Sequence, residues 1–183
     1  MKRVIIVHGW EGSPKDNWLP WLKEELEKTG AKVIVPEMPD TDNPKIRPWL
    51  EKLMKTVGTV DKDTFFIGHS IGCQAIMRLL EKEKSACGGC LFVAGWFHLT
   101  NLEPGTEGIA APWIETPIDF AKVKKHSGKI IALFSDDDPY VPLSDVELFK
   151  ERLGCETAIA AGKGHFDIEE DEYILKLAKR LTR

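Results

Sequence analysis

The chain has 183 residues, of which 43% are apolar and 30% charged, and its formal net charge at pH 7 is -4. This length and composition predict one globular domain over residues 1–183 with a sizeable core. Lys and Arg are scattered among Asp and Glu, so the sequence has no basic stripe and nucleic acid is not an expected partner. The opening apolar run is too short for a signal peptide and no window reaches membrane-spanning length, so we expect a cytoplasmic protein that does not bind membranes.

Six short apolar runs along the chain predict buried strands. In order they are RVIIVH (3–8), KVIVPE (32–37), TFFIGH (64–69), CLFVAG (90–95), KIIALFS (129–135) and ETAIAA (156–161). Amphipathic helical patterns separate most of them, at 17–29, 44–57, 71–84 and 144–153, and another pattern ends the chain. Alternating strands and helices require crossover connections. The sequence therefore predicts an α/β fold, with a doubly wound sheet of about six mainly parallel strands.

The sequence also predicts where one helix begins and where a long loop lies. Ser144 and Glu147 have the Ser-x-x-Glu spacing of a capping box, which predicts the start of the helix at 144–153. Residues 97–128 are rich in Pro and Gly, and we expect a long loop with one helix near 117–126, lying over one end of the sheet.

Ser70 stands where the third predicted strand changes into a helical pattern, between Gly68 and Gly72 in the pattern GxSxG. An abrupt strand-to-helix turn strains its corner residue and crowds its neighbours, so small residues are needed two positions before and after. Such a nucleophile elbow lifts the serine hydroxyl above the sheet edge, at a helix N-terminus. The alternative is that Ser70 merely caps its helix, but capping does not call for the flanking glycines.

A serine hydroxyl is a weak nucleophile unless a histidine, held by a carboxylate, takes its proton. The segment DDDPYVP follows the fifth predicted strand and GKGHF follows the sixth, which gives the order Ser, Asp, His of α/β hydrolases. We expect His165 to be the base and Asp138 to be the acid, because the Asp-x-x-Val-Pro spacing places Asp138 at the turn. We expect Asp136 and Asp137 to form a solvated turn.

A metal site is the alternative interpretation of the three aspartates. Hard cations need ligands that converge from more than one segment. We therefore expect neither a metal nor a cofactor. His8 and His69 flank other turns and are expected to have structural roles.

The oxyanion of a tetrahedral intermediate needs two N–H donors. We expect one from the backbone of Ile71, the residue after the serine, and the other from Trp10 in the segment HGWEGSP, where Gly9 lets the backbone approach. Aromatic residues near strand ends and in the segment above the sheet predict a substrate pocket, with packing as the alternative role for Trp113. These predicted pocket residues are Trp96, Phe97, Trp113 and Phe166.

The chain has four cysteines, which we expect to be thiols. Cys87 and Cys90 form a CxxC pattern. A zinc site would need a second ligand pair, and a redox motif would be expected to open a helix, whereas this pattern runs into a predicted strand. A glycine turn that holds two thiols is the favoured interpretation.

Six segments together resemble the retinoblastoma-binding-protein-nine/YdeN family of small α/β-hydrolase serine hydrolases. They are VHGWEGSP, EMPD, FIGHSIGCQAIMR, PWIETPIDFAKVKK, SDDDPYVP and GKGHF. The resemblance covers nearly the whole chain and implies Ser70 as nucleophile, Asp138 as acid and His165 as base. It also implies a hydrolase sheet without its first two strands and with little or no cap domain. Trp10 departs from the run of glycines that some members have after the first strand.

These patterns predict a carboxylesterase-like serine hydrolase that cleaves small esters through an acyl-enzyme intermediate, with a small-molecule ester or amide as its partner. One alternative is an aminopeptidase-like amide hydrolase, in which Glu11 would hold the substrate ammonium group. Another is a binding module that kept the hydrolase fold with little turnover.

Overall fold

The structure, a computed structural model, describes residues 1–183 and contains six strands and seven helices. In chain order these are β1 (Arg3–Val7), α1 (Leu19–Glu27), β2 (Lys32–Ile34), α2 (Ile46–Val57), β3 (Thr64–His69), α3 (Ile71–Leu80), β4 (Gly89–Val93), α4 (Glu107–Glu115), α5 (Phe120–His126), β5 (Lys129–Ser135), α6 (Ser144–Leu153), β6 (Glu156–Ala160) and α7 (Glu172–Leu181).

The six strands form one sheet in the order β2-β1-β3-β4-β5-β6, and every neighbouring pair is parallel. Alternate residues of the central strands face opposite sides, so the sheet separates two hydrophobic clusters. Ile5 and Val7 belong to the cluster beneath α2, α3, α5 and α6, whereas Val4 and Ile6 belong to the cluster beneath α1 and α7. The predicted doubly wound α/β fold is confirmed.

The segment between β4 and β5 differs from the prediction. It contains two helices, α4 and α5, instead of one. Pro112 and Gly108 both lie inside α4, and these two poor helix formers conceal the helix in the sequence. Tertiary packing holds the helix in place, because Trp113 is buried and its indole N–H donates to the carbonyl of Pro44, 2.8 Å away.

The predicted capping box at Ser144 is wrong. The N-cap residue of α6 is Leu143, and no side chain caps the helix. Asp145 N–H donates to Pro142 and Val146 N–H donates to Leu143, so the chain is already turning helically at Pro142. Ser144 therefore lies inside the first turn.

The four cysteines are free and buried. The Sγ atoms of Cys87 and Cys90 lie 3.7 Å apart, and the Cys87 thiol donates to the carbonyl of Ser127 at 3.0 Å. None of the seven helices is both long enough and apolar enough to cross a membrane.

Candidate active site

Ser70 occupies a sharp turn between β3 and α3. Its φ of 53° and ψ of -122° are a strained combination for a residue with a side chain. The Ser70 side chain makes no capping hydrogen bond to α3, so the hydroxyl is not used to stabilise that helix. The structure thus has the predicted elbow and excludes the simpler role of helix cap.

The two glycines of GxSxG are explained by backbone contacts. A Cβ atom on Gly68 would lie 2.7 Å from the backbone nitrogen of Cys73, and one on Gly72 would lie 2.4 Å from the carbonyl oxygen of Val7. Both neighbours are main-chain atoms and cannot swing aside. Only glycine fits at either position while the strand and helix pack this closely.

Asp138 and His165 come together from the ends of β5 and β6. His165 Nδ1 lies 2.9 Å from Asp138 Oδ2, and the two side chains are 11% and 2% exposed, respectively. Asp138 Oδ1 also accepts the backbone N–H groups of Tyr140 and Val141, which fix the carboxylate in its turn. Because Nδ1 faces the carboxylate, Nε2 is the nitrogen left to exchange a proton with a substrate or a nucleophile.

The hydroxyl of Ser70 has a different partner in this structure. Ser70 Oγ accepts a hydrogen bond from the indole Nε1 of Trp96 at 3.3 Å, and no hydrogen bond joins Ser70 to His165. Ser70, Trp96 and His165 nevertheless line the same cavity. Hydrogen bonds between catalytic groups are often absent or long before substrate binds.

Two buried neutral histidines support the loops around Ser70. His69 Nε2 donates to the backbone carbonyl of His165 at 2.7 Å, and burial, reinforced by the neighbouring His165, lowers the pKa of His69 to about 3. His8 Nδ1 donates to the Gly9 carbonyl, its Nε2 accepts the Met38 N–H, and burial lowers the pKa of its ring. Both side chains have the structural roles expected from the sequence.

Asp136 and Asp137 have a role that the sequence interpretation missed. They are exposed, as expected of a turn, but Asp136 Oδ1 accepts the Gly162 N–H at 2.8 Å and Asp137 Oδ1 accepts the Gly164 N–H at 2.7 Å. Hydrogen bonds from the Ser135 hydroxyl and from Gly164 lower the pKa of Asp137. The two carboxylates therefore tie the end of β5 to the loop that carries His165.

The order of the strands could have revealed these contacts, since β5 and β6 are neighbours and their carboxyl ends meet at one edge of the sheet.

The three aspartates do not converge on one point, because each carboxylate binds a different group of the protein. No set of three His, Cys, Asp or Glu side chains in the structure is arranged to hold a metal ion.

The loop after β1 runs against the serine. A Cβ atom on Gly9 would lie 3.6 Å from the Cβ of Ser70. The Trp10 indole donates to the carbonyl of Asp42, so the bulky ring is tied to that residue, and the Trp10 backbone N–H donates to no group of the protein. Ile71 is the first residue of α3, where a backbone N–H has no acceptor within the helix. The backbone N–H groups of Trp10 and Ile71 remain the predicted oxyanion donors.

The cavity at Ser70 has a volume of about 300 Å³. Its aromatic lining comes from Trp10, Trp96 and Tyr140. The lining also includes four carboxylates and no Lys or Arg side chain; the carboxylates belong to Glu11, Asp16, Glu103 and Asp167. The cavity is therefore open to a small molecule and electrostatically suited to a neutral or cationic one.

Three of the four predicted pocket residues do not line this cavity. Phe97 stacks on Phe149 with ring centroids 4.4 Å apart, and Trp113 packs edge-on against Trp49 in the same hydrophobic cluster. Phe166 is fully buried in the cluster on the other face of the sheet. Trp96 alone of the four lines the cavity, because position after a strand does not determine on which side a ring packs.

The parallel sheet, with its serine at the strand-to-helix elbow, defines an α/β hydrolase. Sequence comparison gives the family: the chain belongs to the serine hydrolase family, whose model matches residues 4–175. It is similar to YdeN of Bacillus subtilis (strain 168), with 29% identity over 90% of this chain and 86% of YdeN. It is also similar to the serine hydrolase RBBP9 of Rattus norvegicus, with 26% identity over 97% of this chain and 88% of RBBP9.

Solved structures share the fold of this chain. The crystal structure of the B. subtilis ydeN gene product superposes with a TM-score of 0.89 and 25% identity, covering 99% of this chain and 98% of that one. Est1E from Butyrivibrio proteoclasticus shares the fold, with a TM-score of 0.74 at 16% identity over 99% of this chain and 85% of its own.

Proposed function

We propose that this serine hydrolase cleaves small esters through a triad of Ser70, His165 and Asp138 and an acyl-enzyme intermediate. The observation that carries the proposal is that His165, whose Nδ1 lies 2.9 Å from Asp138 Oδ2, lines the same cavity as the strained elbow serine. A histidine held by a carboxylate is the base that a serine hydroxyl requires.

In the proposed reaction, His165 Nε2 takes the Ser70 proton while Oγ attacks the ester carbonyl carbon. The backbone N–H groups of Ile71 and Trp10 stabilise the resulting oxyanion. The alcohol then leaves with the proton from His165. Water hydrolyses the remaining acyl-enzyme by the same route, with His165 again accepting and returning the proton.

The size of the cavity favours a short acyl group, because about 300 Å³ is at the small end of ligand-binding cavities. A second candidate substrate is an aminoacyl amide or ester. The four lining carboxylates and the absence of a lining Lys or Arg favour a cationic group such as a substrate ammonium. Glu11 is the proposed partner for that ammonium, as its carboxylate forms no ion pair and lines the cavity.

Ser70→Ala tests the proposed function. We expect turnover to fall by about 10³-fold or more with little change in stability, because the covalent route is lost and little packing is removed. Wild type and variant would be assayed on acyl nitrophenyl esters and on aminoacyl nitroanilides, which also separates the two substrate classes. A fluorophosphonate probe should label only the wild type. Failure to label the wild type would instead favour a binding module with little turnover.

A further inference from the structure

The indole N–H of Trp96 is a polar group in the site that has no role in the reaction proposed above. This Nε1–H donates to Ser70 Oγ at 3.3 Å, and Trp96 as a whole residue is 1% exposed. We propose that Trp96 is a further catalytic residue, whose N–H assists the departure of Ser70 Oγ when the acyl-enzyme is hydrolysed. This inference rests on the proposed serine mechanism and adds a step-specific role to it.

The backbone around Trp96 is anchored on both sides. Gln74, on α3, donates its side-chain amide to the Trp96 carbonyl at 2.8 Å. The next two backbone N–H groups, of Phe97 and His98, donate to Oδ2 of the fully buried Asp145 at 2.5 and 2.9 Å. A buried donor held this firmly can face the nucleophile oxygen with little reorganisation during the reaction.

The direction of the hydrogen bond restricts what Trp96 can do. An indole N–H donates only, so it cannot act as a base, but it can stabilise electron density on the oxygen that it contacts. During deacylation, water adds to the ester carbon and gives its proton to His165. The carbon–Oγ bond then breaks, the bonding pair goes to Oγ, and Oγ receives that proton from His165. A donor at Oγ is most useful at this point, as negative charge develops there.

During acylation the same donor has a smaller net effect. Oγ begins as a hydroxyl oxygen and ends as an ester oxygen, which is the weaker acceptor, and the hydrogen bond draws electron density from the attacking atom. We therefore expect Trp96 to act mainly on deacylation. Loss of one buried hydrogen bond of this kind corresponds to about a tenfold effect on the rate of that step.

Trp96→Phe tests this role, because it removes the N–H and keeps an aromatic ring. Rapid-mixing kinetics with nitrophenyl acetate would give acylation from the burst rate and deacylation from the steady state. We expect deacylation to slow by about tenfold and acylation to change less, so that kcat and KM fall together. The matched control is Trp113→Phe, which loses an indole N–H bonded to a backbone carbonyl outside the cavity and should leave both rates unchanged.

Deacylation within twofold of wild type in folded Trp96→Phe would overturn the inference, as would a rise in KM at constant kcat, which indicates a packing role. If Trp96→Phe fails to fold, incorporation of 3-benzothienylalanine at position 96 replaces the N–H by sulfur in a ring of nearly the same shape, with the same expected outcomes. A wild type whose ester turnover does not depend on Ser70 would instead contradict the proposed function itself.

Discussion

At the scale of single residues, the three aspartates after β5 show how neighbours in sequence divide between roles. Asp138 contacts the His165 ring, whereas Asp136 and Asp137 accept backbone N–H groups of the loop that carries it. The first contact orients the imidazole. The other two control the position of the loop.

This division predicts an order of catalytic losses. Asp138→Asn should lower kcat by about 10³- to 10⁴-fold, because an amide cannot stabilise the imidazolium. Asp137→Asn and Asp136→Asn should lower it by tenfold or less, since an amide oxygen still accepts the loop N–H groups. Steady-state kinetics of the three purified variants would check this order. A larger loss at Asp137 would show that the acid had been assigned to the wrong aspartate.

At the scale of secondary-structure elements, the elbow depends on how closely β1, β3 and α3 approach each other. Gly72, in the first turn of α3, faces the carbonyl of Val7 on β1, and a Cβ atom there would lie 2.4 Å from that oxygen. The glycine is thus required by packing between elements. Within α3 itself, glycine has a lower helix propensity than every other residue except proline.

Gly72→Ala should therefore destabilise the protein by about 3 kcal/mol, because β1 or α3 must move to relieve the overlap. The matched control is Gly108→Ala in α4, where an added Cβ meets nothing within 4 Å. That change should be neutral or stabilise by up to about 1 kcal/mol, through higher helix propensity. Urea unfolding of both variants would measure the difference. Equal stability of the two would refute the steric explanation of the motif.

At the scale of the whole molecule, two buried histidines link global stability to pH. Burial lowers the pKa of His69 from 6.5 to about 3 and lowers that of His8 as well. Between pH 6.5 and 3, the unfolded chain binds a proton at His69 that the folded protein does not. The contribution of His69 to the free energy of unfolding therefore falls as the pH falls through this range.

From pH 7 to pH 5 the contribution of His69 to this loss is about 2 kcal/mol. His69→Gln removes the titrating ring and keeps an amide donor for the His165 carbonyl. Its unfolding free energy should consequently fall by about 2 kcal/mol less than that of wild type over the same pH interval. Urea unfolding at the two pH values provides the measurement, and identical pH dependence in the two proteins would contradict the assignment.

The sequence by itself determined the features that depend on short segments. Alternating apolar runs and amphipathic patterns specify parallel strands with helical crossovers, and these appear as predicted. The GxSxG pattern indicates the elbow from one short segment, although only Gly68 meets a nearby residue, Cys73, and the requirement at Gly72 comes from Val7 on β1. The positions of Asp138 and His165 after strands that pair side by side follow from chain order in a parallel sheet.

Only the tertiary structure decided the features that depend on contacts between distant segments. Trp113 belongs to the core because its indole reaches the Pro44 carbonyl, and Phe166 is buried because its ring packs on the far side of the sheet. Asp137 meets Gly164, and Trp96 meets Ser70, only after separate strand ends come together. The direction of each side chain is fixed by packing against residues from distant segments. A local sequence pattern does not identify those residues, so it cannot predict the direction.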